Sequence, residues 1–200
     1  MHELVLGSLR IDAAPLARLL SADERERARR FAFERDRRRY IVARARLRQL
    51  LGERLAAAPE SLQFLYSPNG KPALAGRAGQ RDLRFNVSHC GELAAYAFAE
   101  GCEVGVDVEE VRELPDADEI AMRFFAPRER AAYLRLRPRE RAQGFFNCWT
   151  RKEAFVKALG EGLSHPLAAF DVSLAARCGW SLCSFVPAPG FVGAVAVRTQ

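Results

Sequence analysis

The segment Val104-Gly105-Val106-Asp107-Val108-Glu109 places two carboxylates two positions apart. Side chains alternate between the faces of a strand, so Asp107 and Glu109 share one face while Val106 and Val108 turn the other way, into a core. Carboxylates about 7 Å apart on one strand face suit a hard divalent cation that prefers oxygen ligands. A plain solvated strand end has the same spacing. A second group lies in Trp149-Thr150-Arg151-Lys152-Glu153-Ala154-Phe155-Val156-Lys157. At helical spacing Trp149, Glu153 and Lys157 fall on one face, either as part of a site or as an aromatic anchor followed by a surface Glu–Lys pair. A third group is Asn86-Val87-Ser88-His89-Cys90-Gly91. Its hydroxyl, imidazole and turn N–H groups can hold phosphate oxygens, or simply build a turn. Adjacent strand residues face opposite ways, and no acid–His spacing completes a triad, which argues against a Ser–His nucleophile. The fourth is Asn69-Gly70-Lys71-Pro72, a tight turn stiffened by proline from which Lys71 projects.

All three lysines of the chain, Lys71, Lys152 and Lys157, fall within these four segments, whereas its 28 arginines are spread along the chain. A GC-rich codon habit accounts for the arginine surplus but not for where the lysines sit. A lysine kept where arginine is the default points to a compact ammonium that can approach a phosphate or give up a proton.

The elements that must carry these residues follow from the pattern. Residues 3–10 alternate like a strand, and 15–56 read as helix with breaks near Ser21 and Phe33; Gly52 is a weak stop signal. A short strand is expected at 62–66 and a loop at 67–83, where two prolines and three glycines gather. Strands follow at 84–88 and 93–99 about a turn at Cys90-Gly91, and at 103–109. Helix returns over about 116–159, broken near Pro127 and Pro138 and ended by Gly160 and Gly162. Strands at 170–174, 180–186 and 191–197 complete a β-rich end. The order strand, helices, β-rich segment thus occurs twice. Short echoes accompany it: Arg25-Glu26-Arg27-Ala28 with Arg128-Glu129-Arg130-Ala131, Phe85-Asn86-Val87-Ser88 with Phe170-Asp171-Val172-Ser173, and Glu3-Leu4-Val5 with Glu103-Val104-Gly105. The expected architecture is α+β, in two similar halves over 1–101 and 102–200, with a ligand cleft between them.

Composition sets the outer bounds. The chain has 200 residues, 49% hydrophobic and 28% charged, enough for a core and unlike a disordered chain. No run approaches the ~18–20 apolar residues of a membrane span, and the N-terminus lacks a signal-peptide pattern. Five cysteines in no zinc spacing, without an export signal, are expected to be reduced thiols in the cytoplasm, with Cys178 and Cys183 as buried apolar residues. Residues 18–54 carry 13 arginines against six acids. Such a patch implies an anionic partner, and the interleaved acids weaken a nucleic-acid reading.

The ordered set NGKPAL (69–74), FNVSHCG (85–91), VGVDVE (104–109) and WTRKEAFVKALGEGL (149–163) resembles the Sfp-type 4′-phosphopantetheinyl transferases. Aspartate-x-glutamate followed some 40 residues later by W-x-x-K-E-A is the specific part. The resemblance implies two pseudo-symmetric α+β halves with coenzyme A and Mg²⁺ in the cleft between them. It implies transfer of phosphopantetheine from coenzyme A to a serine of an apo acyl or peptidyl carrier protein, releasing adenosine 3′,5′-bisphosphate. By resemblance Asp107, Glu109 and Glu153 are metal ligands, and a carboxylate, Glu153 by preference, or a metal-bound water takes the serine proton. Lys157 steadies the departing phosphate. Lys71, Ser88, His89, Lys152 and Lys157 contact coenzyme A, and Arg35 and Arg39 grip its 3′-phosphate. The partners expected are coenzyme A and an acidic carrier, not nucleic acid or membrane. Duplication within one chain argues for a monomer. Another Mg²⁺-dependent phosphoesterase would share the carboxylates but not the acceptor.

Overall fold

A computed structural model of the chain describes residues 2–79, 81–160, 162, 165–173, 176–177 and 179–199. The first strand, β1 (His2–Ser8), leads through a 3-10 turn to helix α1 (Ala22–Arg29) and the long helix α2 (Glu34–Leu55). A small hairpin, β2 (Phe64–Tyr66) and β3 (Pro72–Leu74), is followed by the one-turn helix α3 (Gly76–Gly79). Strands β4 (Leu83–Cys90) and β5 (Leu93–Glu100) close the first sheet, whose order is β1-β5-β4. Then come β6 (Val104–Glu110), helices α4 (Ala117–Phe124), α5 (Pro127–Leu134) and α6 (Pro138–Leu159), and strands β7 (Ala176–Arg177), β8 (Trp180–Phe185) and β9 (Phe191–Arg198). The second sheet has the order β6-β9-β8-β7 and is antiparallel throughout.

Each sheet holds one long helix. On α2, Ile41, Ala45, Arg48 and Leu55 are buried at helical spacing. Its Val42, Leu47 and Leu51 pack with Ala94, Tyr96 and Phe98 of β5. On α6 the stripe Thr150, Ala154 and Ala158 is buried, and these small side chains let the helix lie close to β6 and β9. The opposite face of β5 presents Ala95, Ala97 and Ala99 to Val104, Val106 and Val108 of β6 and to Val195 and Val197 of β9. Alanine at every second position brings the two sheets into direct contact, and this seam lies behind the carboxylate strand.

Helix ends follow local chemistry. Proline stands at the first turn of α5 and of α6, where its missing N–H costs nothing. Glu24 accepts from the Ser21 N–H at 3.0 Å, and Glu129 from the Ala126 N–H at 2.7 Å, each closing a helix start. Helix α6 stops at Gly160 (φ 75°), whereas α2 runs on past Gly52 and ends at Ala56, held left-handed at φ 50°.

The two halves also share a buried ion pair. In the first, Arg48 reaches Glu24 at 2.6 Å and the carbonyls of Pro59 and Leu62, both at 2.9 Å. In the second, Lys152 reaches Glu129 at 2.7 Å and the carbonyls of Leu167 and Phe170 at 2.8 and 2.7 Å. The equivalent glutamates are therefore Glu24 and Glu129. The Arg-Glu-Arg-Ala echo, Arg25–Ala28 with Arg128–Ala131, therefore lies two residues out of this structural register.

Several local expectations are corrected. The 67–83 segment is not all loop, because Pro72–Leu74 pairs with Phe64–Tyr66 and a helical turn follows. Strand β4 continues through Cys90, since Ser88, His89 and Cys90 stay paired with β5, so the turn falls at Gly91-Glu92. Residues 171–173 are irregular after a 3-10 turn, so their echo of Phe85–Ser88 has no structural counterpart; residue 174 lies outside the described residues. Cys183 is exposed rather than buried, and Cys178 lies outside the described residues.

Candidate active site

Strand β6 turns Val104, Val106 and Val108 into the seam between the sheets, and Gly105, Asp107 and Glu109 toward α6. Gly105 sets how near the helix comes. A Cβ at this position would lie 2.1 Å from the Ala154 carbonyl oxygen and 2.4 Å from the Ala158 nitrogen. No side chain fits, so strand and helix touch backbone to backbone. That contact delivers Lys157 to the strand, its Nζ donating to Asp107 Oδ1 at 2.6 Å and to Ser88 Oγ at 3.1 Å. Ser88 Oγ in turn donates to Asp107 Oδ1 at 2.9 Å. The hydroxyl, carboxylate and ammonium thus come from β4, β6 and α6 respectively, which only the packed fold unites.

Two carboxylate oxygens here are buried without a hydrogen-bond partner, Asp107 Oδ2 and Glu153 Oε1. Leaving a buried charged oxygen unpaired costs free energy, a cost that a cation bound at the pair would offset. Burial raises the Glu153 carboxyl above its ordinary value; Lys157 opposes this and the Asp107 and Glu109 charges reinforce it. Glu109 is raised by burial and by Asp107. Glu153 therefore senses both neighbouring carboxylates, and Glu109 senses Asp107. Glu109 Oε2 accepts from Cys90 Sγ at 3.5 Å and lies 3.6 Å from Arg112. Among the described residues no three His, Cys, Asp or Glu side chains stand gathered around a metal position. Lys157 already occupies one oxygen of Asp107. Oxygen donors only, two of them orphaned, fit a hard cation such as Mg²⁺.

Trp149 anchors the helix below the site, stacked on Phe145 at 5.9 Å and meeting Phe124 edge-on. His89, next to Ser88 on β4, is exposed. Partial loss of water, then the Lys157 and Arg39 charges, hold its imidazole below the ordinary histidine value. Arg39 donates from Nε and Nη2 to Glu92 Oε1 at 2.9 and 2.7 Å, and Arg38 grips both oxygens of the same carboxylate. Arg35 stays exposed beside Asp36. Of the expected arginines, Arg39 thus stands near His89, while Arg35 lies farther out.

Lys71 binds Glu103 Oε2 and the Ala158 carbonyl, both at 2.7 Å, and Asn69 donates to the Gly160 carbonyl at 3.1 Å. The Asn-Gly-Lys turn therefore clasps the C-terminal end of α6 beside the site. Lys152 is not brought to the cleft at all. Its side chain is 0% exposed and is consumed by Glu129 and two carbonyls on the far side of the helix. Glu153 and Lys157 face one way around α6, and Lys152 faces the other. The arginine patch at 18–54 is largely paired internally: Arg29 and Arg30 with Glu26, Arg37 with Glu34, Arg44 and Arg48 with Glu24, Arg38 and Arg39 with Glu92. Sequence reasoning gave no role to Arg38, Asn86, Cys90, Glu92 and Glu129. Asn86 and Cys90 carried a signal, since they stand with Ser88 as small polar side chains at period two on one strand face.

Two family descriptions match the chain. Residues 11–100 match "4'-phosphopantetheinyl transferase, N-terminal" and residues 103–188 match "4'-phosphopantetheinyl transferase superfamily". The 4'-phosphopantetheinyl transferase HetI of Nostoc sp. is 38% identical over 190 residues, covering 91% of this chain and 80% of that protein. Sfp of Bacillus subtilis is 32% identical over 155 residues, 78% of this chain and 66% of that protein. AcpT of Salmonella typhimurium is 30% identical over 184 residues, 92% of this chain and 86% of that protein. With matches running through both halves and across the carboxylate strand and helix, the chain belongs to the 4'-phosphopantetheinyl transferase family.

Proposed function

We propose that this chain transfers 4'-phosphopantetheine from coenzyme A to a serine hydroxyl of an apo acyl or peptidyl carrier protein, releasing adenosine 3′,5′-bisphosphate. The observation that carries the reading is the pair of buried, unpartnered oxygens on Asp107 and Glu153, in a cleft that also holds an ammonium and a hydroxyl. Asp107, Glu109 and Glu153 would hold Mg²⁺. Bound there, the ion supplies neutralisation of the charge on the pyrophosphate of coenzyme A.

The side chains account for the rest of the chemistry. The serine oxygen attacks the β-phosphorus, and the bond from that phosphorus to the bridging oxygen breaks. Glu153 accepts the serine proton, a role favoured by a carboxyl already held above its ordinary value by burial. Lys157, next to Asp107 and Ser88, steadies the oxygen of the departing phosphate. Ser88 and His89 line the phosphate path, where the Lys157 and Arg39 charges that hold the imidazole below its ordinary value also attract an anion. Arg39 serves the 3′-phosphate, with Lys71 at the clasp and Arg35 outermost. Lys152 has no part in binding, because its ammonium is enclosed elsewhere. The protein acts as a monomer, with both walls of the cleft supplied by one chain.

The test is the intact mass of an apo carrier protein after incubation with this protein, coenzyme A and Mg²⁺. Addition of one phosphopantetheine arm supports the reading, and no addition across several carriers sinks it. Asp107→Ala and Glu153→Ala should each abolish transfer with the fold retained. Activity in both would remove the metal assignment.

A further inference from the structure

The first sheet ends at β4 and the second at β6, and the two edge strands lie side by side without pairing through their backbones. Side chains fill the gap instead. The Val106 N–H donates to Asn86 Oδ1 at 3.0 Å, the Val108 N–H to Ser88 Oγ at 3.3 Å, and the Glu110 N–H to Cys90 Sγ at 3.4 Å. Every second residue of β4 meets every second amide of β6, in parallel register. Asn86 and Ser88 are buried with Val106 and Val108, so the amides of those two valines would otherwise be orphaned donors.

The same side chains turn back onto the carboxylates. Ser88 Oγ donates to Asp107 Oδ1 at 2.9 Å, and Cys90 Sγ donates to Glu109 Oε2 at 3.5 Å. Each therefore holds a backbone amide of β6 and the carboxylate one residue earlier. Asn86 holds only the amide of Val106, next to Gly105, where strand and helix touch. A backbone ladder would draw the strands to about 4.8 Å and merge the sheets. Interposed side chains keep them farther apart, which leaves the cleft open while fixing its register.

We infer that Asn86 and Cys90 are positioning residues, members with Ser88 of a side-chain seam that joins the two sheets and aims the carboxylates of Asp107 and Glu109 into the cleft. Its bearing on the reaction rests on the metal-ligand reading above. Its bearing on the backbone does not. Partners behind metal ligands commonly matter by about 10–100-fold in affinity or activity. Serine can reproduce the thiol's donor and acceptor roles at Cys90, and alanine cannot.

The experiment compares the full chain with Cys90→Ala, Cys90→Ser and Asn86→Ala by two readouts. The first is amide hydrogen exchange resolved along β6. Cys90→Ala should speed exchange at Glu110, and Asn86→Ala at Val106, while the amides at Asp107 and Glu109, which face β9, keep the parent rate. The second is titration with Mn²⁺ alone, without coenzyme A. Cys90→Ala should weaken its affinity by about tenfold and Cys90→Ser should restore most of it. Parent exchange rates at Glu110 and Val106 in the alanine variants would overturn the seam. Faster exchange with Mn²⁺ affinity unchanged would overturn the aiming role. A parent chain that binds no Mn²⁺ would instead refute the metal reading and leave the exchange result to decide the seam.

Discussion

Replacing Lys152 by methionine should destabilise the protein strongly while leaving the cleft's own groups in place. The ammonium is 0% exposed and its partner Glu129 is 2% exposed. Glu129 is fixed from two other sides, by the N–H of Ala126 at 2.7 Å and of Val172 at 2.6 Å, so it cannot swing out to water when the lysine is lost. Breaking a buried pair by removing one member costs about 3–5 kcal/mol. At about 2–4 °C per kcal/mol for a chain of this size, the melting temperature should fall by roughly 6–20 °C. Urea unfolding followed by circular dichroism measures the loss directly. Adding Glu129→Gln removes the stranded charge and keeps an acceptor for one of the two N–H groups, which the glutamate serves with separate oxygens. The double variant should then recover at least about 1 kcal/mol relative to the summed single losses. Transfer assayed well below the new melting temperature should persist. If Lys152→Met stays within about 1 kcal/mol of the parent and instead raises KM for coenzyme A, the lysine works in the cleft and the buried-pair reasoning is wrong.

Gly105→Ala should cost at least about 1–3 kcal/mol, because a methyl group 2.1 Å from the Ala154 oxygen forces strand and helix apart. Its transfer rate should fall further than its stability, as Lys157 parts from Asp107; urea midpoints beside initial rates show this. Ala56→Gly should stabilise by about 0.5–1 kcal/mol, since an exposed alanine at φ 50° is relieved of left-handed strain. Burial raises the Glu24 carboxyl, but the Arg48 hydrogen bond and the Arg44 charge outweigh it and hold it below the ordinary 4.5. A depressed folded value means that its stabilisation is present above pH 4.5 and is lost as pH falls below that point. The parent should therefore lose stability on acidification through this window more steeply than Glu24→Gln, and equal slopes of urea midpoint against pH would contradict the assignment.

The sequence made the long elements legible because local signals agreed with the fold. Ser21 and Phe33 do precede helices, and Pro127 and Pro138 do open them. The hairpin at Phe64–Leu74 is hidden by Pro68, Gly70 and Pro72, which read locally as loop although three cross-strand pairs hold it. Asp107, Ser88 and Lys157 could be named from motif spacing, and period two placed Asp107 on the proper face. Lys152 shows where that reasoning stops. A lysine beside Glu153 in the sequence sits about 100° away around the helix, and only the position of Glu129 in the packed structure reveals which way it is served. Glu92, bound by two arginines more than 50 positions earlier, carries no local signature either.

The seam between β4 and β6 restricts how the gene can change in length. Its three contacts share one constant offset, 86 to 106, 88 to 108 and 90 to 110. Losing or gaining one codon within Val104–Glu110 would invert the strand, swinging the carboxylates into the alanine-lined wall and the valines into the cleft. The same change in the Gly101–Glu103 connection leaves both strands free to keep their alignment. Length can therefore change at the joint between β5 and β6, while β4 and β6 must stay residue for residue in step.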